Sequence, residues 1–125
     1  MSFNMQHAEE FRHKFGVPTN RQQRSTQKTL IVEEVKEFLE AEQCMINGFT
    51  RNESECLKEL ADVVYVCFQF ASVMDWDLDE ALRRVHQSNL SKLDDEGKPV
   101  LRADGKVMKG PNYQPPDLSD LVCLK

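Results

Sequence analysis

The stretch LKELADVVYVCFQF, residues 57–70, decides the fold. Leu57, Leu60, Ala61, Val63, Val64, Val66, Cys67 and Phe70 recur at helical spacing, and after Ala61 they run around much of the circumference. A helix that apolar belongs in a core. The segment therefore predicts the most buried element of an all-α chain, continuing through Val73 to about residue 74. Upstream, Asn52 is a suitable N-cap, and Glu53 and Glu55 suit the positive end of the helix dipole. Glu59 and Asp62 are out of place in such surroundings, and they carry the functional argument below.

Outward from this segment the pattern stays helical. Residues 25–47 form a second helix, with Leu30, Val35, Phe38, Ala41 and Met45 among its apolar members and Asn47-Gly48 as its stop. Asp77 caps a further helix to about residue 89, with Ala81, Leu82 and Val85 inward. A first helix covers 3–15 through Phe3, Met5, Ala8, Phe11 and Phe15, and it is ended by Gly16 and Pro18. Residues 19–24 are polar, carry Arg21 and Arg24, and are expected as a loop. After Leu93 the character changes. Asp104-Gly105 between two short runs predicts a β-hairpin, and residues 110–116, with no helical period, predict an extended tail.

One domain of 125 residues is expected, helical over about 3–93, with hairpin and tail over 94–125. The architecture is an antiparallel helical bundle completed by dimerisation, because one small protomer struggles to cover the apolar surface of the third helix. A homodimer or homotetramer follows. The net charge of −5 argues against a partner bound through nucleic-acid phosphates. No signal-peptide order or membrane-length apolar run is seen, so the chain reads as cytoplasmic, with no membrane partner. Cys44, Cys56, Cys67 and Cys123 lack zinc-site spacing and read as reduced thiols, with Cys56 and Cys67 in the apolar helical pattern.

The chemistry lies in two acid pairs. Glu34 and Glu37 on the second helix, and Glu59 and Asp62 on the third, are each three residues apart, so both members of a pair reach a common point. Glu34 and Glu37 share a face with Leu30, Phe38, Ala41 and Met45, which is expected to turn inward. Buried carboxylates are costly unless paired or bound to a metal, and converging ones repel unless a cation sits among them. Oxygen ligands on rigid helices suit Mg²⁺ or Mn²⁺. One such pair alone would read as a solvated face bridged to Lys36, Lys58 or Arg51; two pairs on successive helices favour a metal. A di-iron site would need two Glu-x-x-His pairs, and Glu10 with His13 is the single one present.

Glu33-Glu34-x-x-Glu37, twenty-one residues, then Glu59-x-x-Asp62 resembles the motif of the all-α nucleoside triphosphate pyrophosphatases, the MazG-like superfamily. The resemblance extends through residues 86–93 and 104–113, which look like the compact phage and bacterial MazG-like branch. It implies a Mg²⁺-dependent hydrolase that converts a nucleoside triphosphate to the monophosphate and pyrophosphate and sanitises nucleotide pools. By it, Glu34, Glu37, Glu59 and Asp62 are metal ligands, and Glu33 or Glu37 takes the proton of the attacking water. Asn89, Lys92, Lys109, Asn112 and Tyr113 contact substrate; His86 is expected to be a packed helix residue. Two alternatives stand beside this: a phosphoribosyl-ATP pyrophosphohydrolase-like enzyme, and a non-catalytic helical regulatory or dimerisation module.

Overall fold

The computed structural model describes residues 3–45 and 50–122. The chain forms two compact units, Met1–Asp77 and Leu78–Lys125, so the fourth helix groups with the hairpin and tail.

The first unit holds α1 (Phe3–Lys14), a 3-10 turn at Arg21–Gln23, α2 (Arg24–Met45) and α3 (Thr50–Met74). Gly16 ends α1 as the sequence predicts. Its φ is +68°, and the Val17 N–H donates back to the Arg12 carbonyl at 2.9 Å. The expected loop at 19–24 instead contains the 3-10 turn, started by Asn20, whose side chain accepts from the Gln22 N–H at 2.8 Å. The polar composition of that stretch hid a local cap.

α3 packs along α2 and against α1. Joined through residues 46–49 and packed along their length, α2 and α3 run antiparallel. The core takes Met5 and Ala8 from α1 and Cys56, Phe68, Ala71, Val73 and Met74 from α3. Two polar bonds fasten α1 to α3: Gln69 Nε2 donates to the Ala8 carbonyl at 3.2 Å, and Arg12 Nε donates to Ser72 Oγ at 3.1 Å. On α2 the inward positions are Gln27, Ile31, Glu34, Phe38, Ala41 and Met45, at steps of four and three.

One expectation for α3 needs correction. Asn52 is not its N-cap: the helix starts earlier, at Thr50, and Asn52 Nδ2 donates to the Cys44 carbonyl of α2 at 3.1 Å. A terminal carbonyl of α2 thus gains a partner. α3 supplies most of the core, as expected, and leaves part of its apolar surface uncovered, with Leu57, Leu60 and Val64 67%, 43% and 49% exposed along its first half. The Asn47-Gly48 stop and Cys123 lie outside the described residues. No described helix is long and apolar enough to cross a membrane.

The second unit contains α4 (Leu78–Leu90), strands β1 (Val100–Leu101) and β2 (Val107–Met108), and a 3-10 turn at Ser119–Leu121. The strands pair antiparallel, Val100 with Met108 and Leu101 with Val107, around Gly105 at φ +90°. That is the hairpin predicted from Asp104-Gly105. On α4, Ala81 and Val85 are half-buried, whereas Leu82 is exposed rather than inward and His86 is exposed rather than packed. Both point away from the tail contacts that cover the helix elsewhere. The tail is extended, as expected, and α4 anchors it. Ser88 Oγ donates to the Gln114 carbonyl at 2.8 Å, the Gln114 N–H donates to Ser91 Oγ at 2.9 Å, and Arg84 donates to Asp120 and to the Asp117 carbonyl.

Gly110 makes the closest approach. A Cβ there would collide with the Lys92 carbonyl oxygen and sit 3.0 Å from that of Leu93, both backbone atoms that cannot swing aside. Gly110→Ala is therefore expected to destabilise this unit by about 1–3 kcal/mol, as overpacking does. Proteolysis near the tail should accelerate and the urea midpoint should fall; an unchanged midpoint would show that the tail is not held there.

Candidate active site

Glu34 reaches from α2 toward Glu59 and Asp62 on α3. One oxygen of each lies within 4.8 Å of the others, and all three residues are half-buried. No other such group of histidine, cysteine or acidic side chains occurs among the described residues. Lys58, on the rim, reaches Asp62 Oδ2 at 2.7 Å and Glu59 Oε1 at 3.5 Å. The salt-bridged reading of these acids thus holds for Asp62 and for one oxygen of Glu59. It fails for the rest. Glu34 Oε2 and Glu59 Oε2 are buried with no hydrogen-bond partner among the described residues.

The other two acids stand further out. Glu37 and Glu33 are both exposed. Glu37 neighbours Glu34 but is outside the tight group, so the inward-facing expectation is met by Glu34 and corrected for Glu37: three residues of helix turn it toward the rim. Burial pushes the Glu34 carboxyl above its ordinary value, and so do its hydrogen bond with Glu37 and the charges of Glu37, Asp62 and Glu59. A group of acids with two orphaned buried oxygens fits a hard divalent cation, which takes oxygen ligands and removes the repulsion. Glu10, half of the lone Glu-x-x-His pair, is an exposed partner of Lys14 at 3.2 Å.

The remaining predicted site residues belong to the second unit. Asn89 is exposed on α4, and Lys92 is half-buried just past its end. Lys109 Nζ lies 4.8 Å over the Tyr113 ring, a cation–π contact, and Asn112 Nδ2 donates to Asp95 Oδ1 at 2.6 Å.

Sequence reasoning passed over the cavity beside the acids. About 350 Å³ in volume, it is walled by Phe11, Val17, Leu30, Tyr65 and Val66, and carries Gln27 and Gln69 as well as Glu34 and Asp62. Phe11 meets Tyr65 edge-on at 5.8 Å and stacks on Phe15 at 4.4 Å. The available signal for Gln27 was its place on the inward face of α2, seven residues before Glu34.

An antiparallel helix pair holding a compact acid group defines an all-α protein of the acid-cluster type. The chain belongs to the phosphoribosyl-ATP pyrophosphohydrolase family, whose model matches residues 8–89. This is an all-α family of nucleotide pyrophosphohydrolases within the MazG-like superfamily, hydrolases of the pyrophosphate bond. The matched span contains Glu33, Glu34, Glu37, Glu59 and Asp62, and stops before Lys92, the hairpin and the tail. Among curated proteins, none matches the chain.

Proposed function

We propose that the chain is a Mg²⁺-dependent nucleoside triphosphate pyrophosphohydrolase that cuts between the α- and β-phosphates, releasing a nucleoside monophosphate and pyrophosphate and clearing unwanted nucleotides from the pool. The carrying observation is the acid group with its orphaned oxygens on Glu34 and Glu59, in a member of a pyrophosphohydrolase family. Glu34, Glu59 and Asp62 hold the cation, with Glu37 joining from the rim. When bound, Mg²⁺ or Mn²⁺ supplies neutralisation of phosphate oxygens and a lowered pKa for the attacking water. Glu33 or Glu37, both exposed, accepts the proton of that water. Lys92 meets phosphate charge as a mobile cation, with Asn89, Lys109, Asn112 and Tyr113 as further substrate contacts.

The family match favours a second reading, in which the substrate is phosphoribosyl-ATP itself. One assay separates the two. The protein is incubated with Mg²⁺ and a panel of ribo- and deoxyribonucleoside triphosphates plus phosphoribosyl-ATP, and pyrophosphate and monophosphate are quantified. Turnover of the triphosphates supports the first reading, and turnover of phosphoribosyl-ATP alone supports the second. No pyrophosphate from any would leave a non-catalytic helical module.

A second copy of the chain is proposed to complete the bundle. Leu57, Leu60 and Val64 line an apolar groove of about 380 Å³ between α1 and α3, together with Ala8 and Phe68. Light scattering at micromolar concentration should give a dimer or tetramer, and Leu60→Asp with Val64→Asp should give monomers. A fully active wild-type monomer would overturn this.

A further inference from the structure

The cavity beside the acids contains an atom that pyrophosphate hydrolysis alone gives no use. Gln27 is 6% exposed, and its Oε1 is buried with no hydrogen-bond partner among the described residues. Such an atom is costly to leave unpaired, and native chains retain few of them. Gln27 lines the cavity together with Glu34 and Asp62, so one space adjoins both this glutamine and the acid group. Gln69 lines it too, its orientation fixed by the bond from Nε2 to the Ala8 carbonyl. The rest of the lining is aromatic and aliphatic: Phe11, Tyr65, Leu30, Val66.

Apolar walls with a few fixed polar groups are what a flat heterocycle needs for binding and orientation. A nucleotide carries its base one sugar away from its phosphates. A ligand whose phosphates lie at the acids therefore has its base at hand for this space. An amide oxygen that lacks a donor is met by an N–H on a base's pairing edge. That donor is a ring N–H in guanine, uracil and thymine but an exocyclic N–H₂ in adenine and cytosine, so an oxygen held in one place discriminates by where the donor sits, and the neighbouring amide N–H₂ can answer an adjacent acceptor. A sulfur, a methyl or a carboxylate in that place would leave Oε1 unpaired.

We propose that this cavity is the nucleobase pocket and that Gln27 selects the base by accepting a hydrogen bond from its edge. The assignment rests on the pyrophosphohydrolase reading for the position of the phosphates. It adds the residue that reads the base and the direction of the bond.

The test uses the full chain with Mg²⁺. Binding of the four nucleoside monophosphates is measured by calorimetry for wild type and for Gln27→Leu, alongside hydrolysis of the matching triphosphates. In the variant, affinity for the preferred nucleotide should fall about tenfold, the loss expected for one buried hydrogen bond. KM should rise with kcat little changed, the ranking among bases should flatten, and thermal stability should hold or rise because the orphaned oxygen is gone. Should Gln27→Leu fail to fold, wild-type affinity for a nucleotide methylated on its edge N–H reads the same contact and should fall similarly. Unchanged affinity and base ranking in the variant, or no nucleotide binding by the wild type, overturns the pocket. Binding that responds at position 27 without any hydrolysis overturns the pyrophosphohydrolase reading and leaves the pocket standing.

Discussion

Asp62→Asn and Glu34→Gln are each expected to lower turnover by roughly a hundredfold or more while leaving the helices intact. Changes to groups that merely orient a metal ligand commonly cost about 10–100-fold, so loss of a ligand should reach or exceed that. Folding should not suffer. Each substitution removes one negative charge from a group whose members repel, and Glu34→Gln also neutralises a carboxylate that burial already disfavours. Circular dichroism should therefore match wild type, and the metal-free variant should melt no lower. Asp62→Asn loosens the Lys58 contact, but that pair sits on the rim, where screening leaves an ion pair little net worth. Near wild-type rates in either variant, with saturating Mg²⁺, would remove these residues from the catalytic machinery.

The second large effect is a pair of pH slopes of opposite sign, one in the stability of the metal-free protein and one in its affinity for Mg²⁺. The folded Glu34 carboxyl titrates above its ordinary 4.5, so in the window just above that value the folded chain keeps a proton that the unfolded chain has lost. Stability of the metal-free protein must then fall as pH rises through the window. Binding of Mg²⁺ expels the same proton, so its affinity must rise across the window, by at most about tenfold per pH unit for one proton. Chemical denaturation in chelator and calorimetric Mg²⁺ titration at stepped pH would read the two slopes. In Glu34→Gln both slopes should flatten. A wild-type Mg²⁺ affinity independent of pH there would show that Glu34 is ionised before the metal arrives.

How much of this was legible in the sequence depended on whether the signal was local. Gly16 as a stop and Asp104-Gly105 as a hairpin are backbone demands that few residues meet, and both were readable. The acid spacing was readable because helical geometry alone brings Glu59 and Asp62 to one side, and Glu34 to the facing helix. Gln27 was not, since a glutamine in a helix looks like any solvated position until its neighbours across the cavity are known. Asn52 misled for a related reason: its amide suits a cap, and only the neighbouring α2 terminus shows that it serves as a clamp. The place of α3 in the core was readable, but periodicity marks a face as apolar without saying which chain covers it.

The clamp between Asn52 and Cys44 has a consequence beyond the end of the hairpin it ties. These two residues lie four places either side of position 48, and the facing residues deeper in the pair keep the same mirror: Glu34 and Asp62 at fourteen, Gln27 and Gln69 at twenty-one. One residue inserted or deleted within α3 between Asn52 and Glu59 would slide the mirror and turn every later position of α3 by about 100° around its axis. The helices would still form, but the acids would face away from one another. What the fold asks of residues 53–58 is therefore a count before a composition.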